Sequence, residues 1–192
     1  MPPKAKFERE EIIAAALQIV KEQGMSALTA RSLGAKLGSS PRPIFTVFQS
    51  MEEVQGEVIS KAKAVYAEYV RKGLDCVPAF KGVGTQYILF AIYEPKLFQL
   101  LFMSEQKSVL SLSNVLLVIE EHYEDILASI YNSYSIETEK AERIYHHLWI
   151  YTHGIATLCA TKTCAFTAEE ISALMTDVFI SLLSKIRGAK ND

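Results

Sequence analysis

The chain has 192 residues, of which 49% are hydrophobic and 22% are charged, and its formal net charge at pH 7 is −2. This length and apolar content suit a folded protein of one or two small domains. No N-terminal signal segment is visible, and every apolar run is shorter than the ~18 residues that cross a bilayer, so we expect a cytoplasmic protein without a membrane span.

Charge is distributed unevenly along the chain. Residues 1–50 contain seven Lys or Arg and four Asp or Glu, although the whole chain is slightly negative. A basic first quarter on an acidic remainder suits a protein that touches DNA at one end only.

The cysteines and histidines do not form a metal motif. Cys76, Cys159 and Cys164 include no CxxC pair. His146 and His153 share a helical face, but no carboxylate or thiol follows either at i+3 or i+4 to complete a chelate. We therefore expect reduced thiols, no metal and no cofactor.

The first predicted helix runs from Glu8 to about Gln23, and Gly24 is placed to end it. Its apolar stripe consists of Ile12, Ile13, Ala16, Leu17, Ile19 and Val20.

Residues 29–48 predict two short helices joined by a tight turn, the pattern of a helix-turn-helix DNA reader. Ala30, Leu33, Gly34 and Leu37 share one face of the first helix, and Gly38 allows the chain to reverse. Ser40 is the predicted N-cap of the second helix and Pro41 its first residue. The inward side chains of that helix are predicted to be Ile44, Phe45 and Phe48, and the outward ones Arg42, Thr46 and Gln49.

The rest of the chain also scans as helix. Ser50-Met-Glu-Glu53 is a capping box that begins a long helix over 51–72, and Thr167-Ala-Glu-Glu170 begins the last one. Further helical patterns cover 80–93, 95–103, 110–134, 137–161 and 168–187. The prediction is an all-α protein of about nine helices, with a three-helix head and a helical body.

The N-terminal pattern resembles the TetR family of bacterial transcriptional regulators. The resemblance lies in Leu28-Thr29-x-Arg31-x-Leu33, Leu37-Gly38-x-Ser40-Pro41 and Ile44-Phe45-x-x-Phe48-x-Ser50-x-Glu52, and it covers residues 7–60 without a gap. It implies a DNA-binding domain over 1–50, a connecting helix over 51–72, and a ligand-binding and dimerisation domain over 51–192.

The resemblance also implies roles for residues of the head. Thr29 and Arg31 would hold phosphates, and Ser40, Arg42, Pro43 and Thr46 would enter the major groove. Together with Pro41, Phe45 and Gln49 they form the predicted DNA-binding set. The family usually has tyrosine at the position of Phe45 and lysine at that of Met51, so two phosphate contacts are missing and weaker DNA affinity is expected.

Two sets of residues are predicted in the body. Only three of the 19 aromatic residues lie in the first 50 positions, and by resemblance we expect an effector pocket lined by Tyr87, Phe90, Tyr93, Phe98, Phe102, Tyr123, His146 and Trp149. The last two helices would form the homodimer interface through Thr152, His153, Ala156, Thr157, Ala160, Val178, Phe179 and Leu182. For both sets the alternative is packing within one chain.

The function that these expectations define is a homodimeric repressor, released from a palindromic DNA operator by a small apolar or aromatic effector. The alternative is a helical interaction or ligand-binding module without sequence-specific DNA binding. An enzyme is not expected, because the sequence has no nucleophile elbow, glycine-rich phosphate loop or HExxH motif.

Overall fold

The structure, a computed structural model, describes residues 6–105 and 111–188, and every regular element in these ranges is helical. Their nine α-helices are α1 (Arg9–Gln23), α2 (Ala30–Lys36), α3 (Met51–Leu74), α4 (Ala79–Tyr93), α5 (Pro95–Phe102), α6 (Leu112–Ile119), α7 (Tyr123–Tyr134), α8 (Thr138–Ala160) and α9 (Ala168–Gly188). Two short 3-10 turns lie at Met25–Ala27 and Ile44–Thr46. The predicted all-α class is confirmed.

Helix α1 follows the sequence pattern closely. Glu8 and Glu11 form a reciprocal capping box at its start, and Gly24, at φ 87°, ends it. The capping box at Thr167 and Glu170 is also present at the start of α9. Local sequence therefore determines these two helix boundaries.

The predicted second helix of the helix-turn-helix is wrong in its geometry. Only Ile44–Thr46 is regular, as a 3-10 turn with Pro43 at its N-terminal boundary and no side-chain cap, so Ser40 does not act as the predicted N-cap. The amides of Ile44, Phe45 and Thr46 bond to carbonyls three residues back. Prolines at 41 and 43 supply no amide donor, and Pro43 disfavours α-helical geometry at Arg42. A tighter turn replaces the α-helix.

The predicted single helix over 110–134 is also wrong. It is divided into α6 and α7, and residue 110 lies outside the described ranges. Glu120 ends α6 with an extended backbone, φ −112° and ψ 98°, and its side chain is buried. The α-helix count agrees with the prediction because one predicted helix is lost at 40–48 and one is gained here.

The chain divides into two compact units. Within the described residues, the first consists of 6–65 with 94–104, and the second of 66–93 with 105 and 111–188. Helix α3 contributes its first part to one unit and its last part to the other.

The first unit is built around α1, which packs against α2 and α5. Its core contains Ile12, Ala16, Leu33, Ile44, Phe48, Val54, Val58, Leu97 and Phe98, each with almost no exposed surface. The ammonium of Lys21 lies 2.6 Å from a carboxylate oxygen of Glu94 and joins α1 to the start of α5.

The second unit is centred on α4, which packs against α7, α8 and α9. Gly73 of α3 and Gly82 of α4 lie in close backbone contact, since a Cβ placed on Gly82 would be 2.3 Å from the Gly73 carbonyl oxygen. Only glycine at both positions allows the two helices to approach this closely.

Candidate functional site

The predicted DNA-binding set lies at the surface of the first unit. Its members are exposed at Thr29, Arg31, Ser40, Arg42, Phe45, Thr46 and Gln49 and half-buried at Pro41 and Pro43. We call these nine residues the head surface. Phe45 is 46% exposed, so its predicted inward orientation is wrong. In a 3-10 turn, which has about three residues per turn, Phe45 points to a different side from its buried neighbour Ile44.

The geometry of α2 is set by its first residue and by a close glycine contact. The Thr29 hydroxyl accepts a hydrogen bond from the Ser32 amide at 3.1 Å, and the Ser32 hydroxyl oxygen accepts one from the Thr29 amide at 2.9 Å. A Cβ on Gly34 would lie 3.0 Å from the nitrogen of Pro41. Gly38, at φ 62°, reverses the chain between them. This close contact holds the turn against α2.

The 3-10 turn is anchored from beneath by apolar and ionic contacts. Ile44 and Phe48 are buried, and the Arg9 guanidinium lies 4.2 Å from the centre of the Phe48 ring. The same guanidinium bonds to Glu53 at 3.0 Å and to Glu57 at 2.6 Å. Hydrogen bonds from the Gln49 amide, and then from Arg9, lower the pKa of Glu53. The carboxylate that holds the turn thus stays ionised at neutral pH.

Arg31 and Arg42 differ from Arg9, Lys21 and Lys36, which form ion pairs. Lys36 is paired with Glu22 at 3.4 Å, and Arg9 with two glutamates. Within the described ranges neither Arg31 nor Arg42 forms an ion pair, and both are exposed. Exposed guanidinium groups without an acidic partner are suited to phosphate oxygens and to the edges of guanine bases.

A cavity of about 340 Å³ lies within the second unit. Residues of α3, α4, α7, α8 and α9, with Pro78 and Glu120, form its wall. The lining is mostly aromatic or aliphatic and comprises Tyr66, Pro78, Phe80, Lys81, Val83, Gly84, Tyr87, Glu120, Tyr134, Tyr145, Leu148, Trp149, Thr152, Met175, Thr176, Phe179 and Ile180. Its volume is in the range of small-molecule sites.

Two of the eight predicted pocket residues, Tyr87 and Trp149, line this cavity. Phe90 and Tyr123 are buried in the same unit without lining it, and Tyr93 is 69% exposed. Phe98 and Phe102 belong to the first unit, where their ring centroids lie 5.2 Å apart.

His146 lies in a shallow polar hollow of the second unit with Glu142, not in the cavity. Its Nε2 is buried without a hydrogen-bond partner in the described ranges, and the nearest oxygen of Glu142 is 3.7 Å away. The prediction therefore placed an aromatic cavity in the body but named only a small part of its wall.

Glu120 is the most unusual member of the wall. It is 4% exposed, and one carboxylate oxygen accepts a hydrogen bond from the Tyr66 hydroxyl at 2.5 Å. The other oxygen accepts one from the His122 amide at 3.3 Å. Burial raises the pKa of Glu120, and the bond from Tyr66 lowers it in part. The sequence carries a signal for the burial of Glu120. Glu120 follows the buried Leu116 by four residues and therefore stands where the helical pattern of α6 would place the next apolar residue.

Tyr87, His153 and Trp149 form a second polar group beside the cavity. The Tyr87 hydroxyl lies 2.9 Å from Nδ1 of His153, and the His153 ring stacks on Trp149 with centroids 4.9 Å apart. Burial lowers the pKa of His153, which favours the neutral imidazole. His153, predicted at the dimer interface, thus orients two residues of the cavity wall.

The other predicted interface residues occupy two environments. Thr152, Ala156 and Ala160 are buried within one chain. Thr157, Val178, Phe179 and Leu182 are half-buried, and Phe179 lines the cavity. The exposed face of α8 instead presents Ile150, Gly154 and Leu158, at intervals of four residues.

The described ranges contain neither a metal-binding cluster nor a membrane-spanning helix. No group of three or more His, Cys, Asp or Glu residues there is arranged to hold a metal ion. No helix in those ranges is long and apolar enough to span a membrane.

Comparison with solved structures finds relatives of this fold. No protein-family model matches the sequence, and no curated protein matches it. The crystal structure of "a putative TetR-family transcriptional regulator" from Mesorhizobium loti MAFF303099 matches with a TM-score of 0.55 and 15% sequence identity, over 92% of this chain and 95% of that chain. The chain therefore has a TetR-like fold, as the resemblance over residues 7–60 predicted.

Proposed function

We propose that this chain is a homodimeric DNA-binding transcriptional regulator. In this proposal residues 1–50 are the DNA-binding domain, and residues 51–192 bind an effector and dimerise. The observation that carries it is the head surface, where Arg31 and Arg42 are exposed and unpaired in the described ranges while Ile44 and Phe48 hold the turn from beneath. The TetR-like fold supports the same reading.

On DNA, the two parts of the head surface would have different roles. Thr29 and Arg31, at the start of α2, would hold the phosphate backbone and set the register. Arg42, Phe45, Thr46 and Gln49 would lie in the major groove. The Thr46 hydroxyl already donates to the Pro43 carbonyl at 2.7 Å, so it would act on bases as an acceptor.

Dimerisation would present two head surfaces about one turn of DNA apart, ~34 to 36 Å. We place the interface on the exposed face of α8 with the neighbouring part of α9. Ile150 and Ile180 are each 55% exposed, Leu158 is 38% exposed, and Gly154 leaves open space above the backbone. An apolar stripe with a glycine at its centre allows two helices to approach closely.

The effector would occupy the cavity of the second unit. Tyr66, on α3, is part of the cavity wall, and the first residues of the same helix bond to Arg9 and to the Gln49 amide. An effector that moves Tyr66 would move α3, and the operator would be released with a coupling of ~1 to 3 kcal/mol.

DNA binding is tested with duplexes from the region upstream of the chain's own gene. Fluorescence anisotropy at several salt concentrations, with a scrambled duplex of equal length, should give a clear preference for one fragment. Nuclease protection of that fragment should reveal an inverted repeat. Equal affinity for both duplexes would favour the alternative, a helical module without sequence-specific DNA binding. That alternative is worth testing because Phe45 and Met51 stand where the family usually has tyrosine and lysine.

The interface is tested by sedimentation of Ile150→Glu beside Leu117→Glu. Both side chains are more than half exposed, at 55% and 57%, and Leu117 lies on α6, which is not part of the proposed face. We expect the unmodified chain and Leu117→Glu to be dimers at micromolar concentration, and Ile150→Glu to be a monomer. A dimer that tolerates the charge at 150 would place the interface elsewhere.

A further inference from the structure

We propose that the ligand of the cavity carries a positive charge, as an aryl or alkyl ammonium or amidinium group, and that Glu120 receives that charge. The inference rests on the proposed function, because it assumes that the cavity of the second unit is the effector site. It adds the chemical class of the effector, which neither the fold nor its structural relative specifies.

The first argument is the state of the Glu120 carboxylate. It is 4% exposed, and its two hydrogen-bond donors, the Tyr66 hydroxyl and the His122 amide, are both neutral. No ion pair reaches it from residues 6–105 or 111–188. A buried carboxylate without a cation is costly, and a cationic partner would remove most of that cost.

The second argument is the chemistry of the surrounding rings. Tyr66 and Tyr87 pack edge to face with ring centroids 5.9 Å apart, and the ring centroids of Tyr87 and Trp149 are 6.4 Å apart. Tyr145 also lines the cavity. The faces of such rings carry partial negative charge and attract cations, most strongly where water is excluded. The Glu120 carboxylate and the aromatic rings therefore both favour a positively charged ligand.

The lining residues also include a cation, Lys81, which is exposed where Glu120 is buried. Its side chain is exposed, and its ammonium donates a hydrogen bond to the Thr176 hydroxyl at 3.3 Å. Water screens an exposed charge far more than a buried one, so Glu120 dominates the potential inside the cavity. A volume of about 340 Å³ is sufficient for a ligand with one aromatic ring and a trimethylammonium group.

The test uses two probes of the same shape that differ in charge. Phenyltrimethylammonium and tert-butylbenzene differ only by nitrogen in place of the quaternary carbon. Trp149 lines the cavity and is the single tryptophan of the chain, so its fluorescence reports binding. With the unmodified full chain, we expect the ammonium to bind at least about tenfold more tightly than the hydrocarbon.

Two variants locate the origin of that preference. Glu120→Gln keeps the shape and can still accept the Tyr66 hydrogen bond, so the affinity for the ammonium should fall at least about tenfold while that for tert-butylbenzene changes less than about twofold. Glu121→Gln, at an exposed carboxylate outside the cavity lining, should leave the preference intact. Circular dichroism establishes that each variant is folded.

Equal binding of the two probes, or tighter binding of tert-butylbenzene, would overturn the inference and leave an apolar effector site. No binding of phenyltrimethylammonium at millimolar concentration would overturn it as well. Neither result affects DNA binding, which is measured separately on the unliganded chain. Failure of the ligand class and failure of the regulator proposal are therefore distinguishable.

Discussion

The two units place their unpaired charges in opposite ways. In the first unit, Arg31 and Arg42 are exposed to water, where a charge costs little and can reach a large polyanion. In the second, Glu120 is buried beside a cavity, where a charge without a counter-ion costs stability. The contrast shows that an exposed charge costs the fold little stability, while a buried one costs more, and the proposed cationic ligand would reduce that cost.

The largest expected effect is a loss of stability from a substitution in the second unit. In Gly82→Ala the new Cβ would lie 2.3 Å from the Gly73 carbonyl oxygen and 2.5 Å from the Cys76 Cβ, so α3 and α4 must separate. We expect the free energy of unfolding, measured by urea titration of Trp149 fluorescence, to fall by about 3 kcal/mol or more. Gly56→Ala, with nothing within 4 Å of its new Cβ, should gain about 0.5 to 1 kcal/mol. Similar values for the two variants would contradict the close contact.

The next effect concerns the exposed charges of the first unit. Arg42→Ala should weaken binding to the preferred duplex by ~1 to 3 kcal/mol, because a guanidinium that reads a base edge contributes that much. Arg143→Ala removes an equally exposed arginine from α8 of the second unit and should leave DNA affinity unchanged. Anisotropy titrations of the three proteins give the answer. Equal losses in both variants would show only a general effect of charge.

The buried charge of the second unit predicts a pH dependence of stability. Because burial raises the pKa of Glu120 in the folded chain, the folded state binds more protons than the unfolded state between the ordinary value near 4.3 and the raised value. For each pH unit by which the folded-state pKa exceeds the unfolded-state pKa, the free energy of unfolding is lowered by ~1.4 kcal/mol at pH values above both pKa values.

Glu120→Gln should remove this dependence. The variant should be more stable than the unmodified chain at pH 8, and the difference should shrink as pH falls through the raised pKa. Urea titrations across the pH range measure both. The other titratable groups near the carboxyl are present in both proteins, and they are Tyr66, Tyr87, Tyr145, Glu121 and His122. A constant difference between the proteins at every pH would contradict the prediction.

The smallest expected effect is on DNA affinity, from adding the tyrosine hydroxyl that the family usually has at position 45. Phe45 is 46% exposed, so Phe45→Tyr can add a hydroxyl without disturbing the core. A hydrogen bond to a phosphate should strengthen DNA binding by ~0.5 to 1.5 kcal/mol. The gain should be the same for preferred and scrambled duplexes, because phosphate contacts carry no sequence information. A gain confined to the preferred duplex would place Phe45 against bases.

The parts of the fold that local sequence determines were predictable. The bounds of α1 and the start of α9 follow from capping residues and apolar stripes that need no distant partner. The 3-10 turn was missed because the α-helix predicted to begin at Pro41 includes a second proline, Pro43. Pro43 disfavours α-helical geometry at Arg42, and the amides of Ile44, Phe45 and Thr46 bond to carbonyls three residues back instead of four.

The cavity was harder to predict, because its wall comes from elements far apart in sequence. Tyr66 and Tyr145 are indistinguishable from core aromatics until α3 and α8 meet in the second unit. The break at Glu120 has no proline or glycine to mark it. Phe98 and Phe102 were misplaced because nothing in the local pattern of α5 indicates that it belongs with the first unit.

Under the proposed function, a turn as short as Ile44–Thr46 limits how much sequence information one protomer can read from DNA. One turn offers few side chains to base edges, so under the proposed function a single half-site would specify few positions and would recur often by chance in a genome. Discrimination would then depend on the spacing and symmetry of two half-sites, and one such regulator would tolerate considerable variation among its operators.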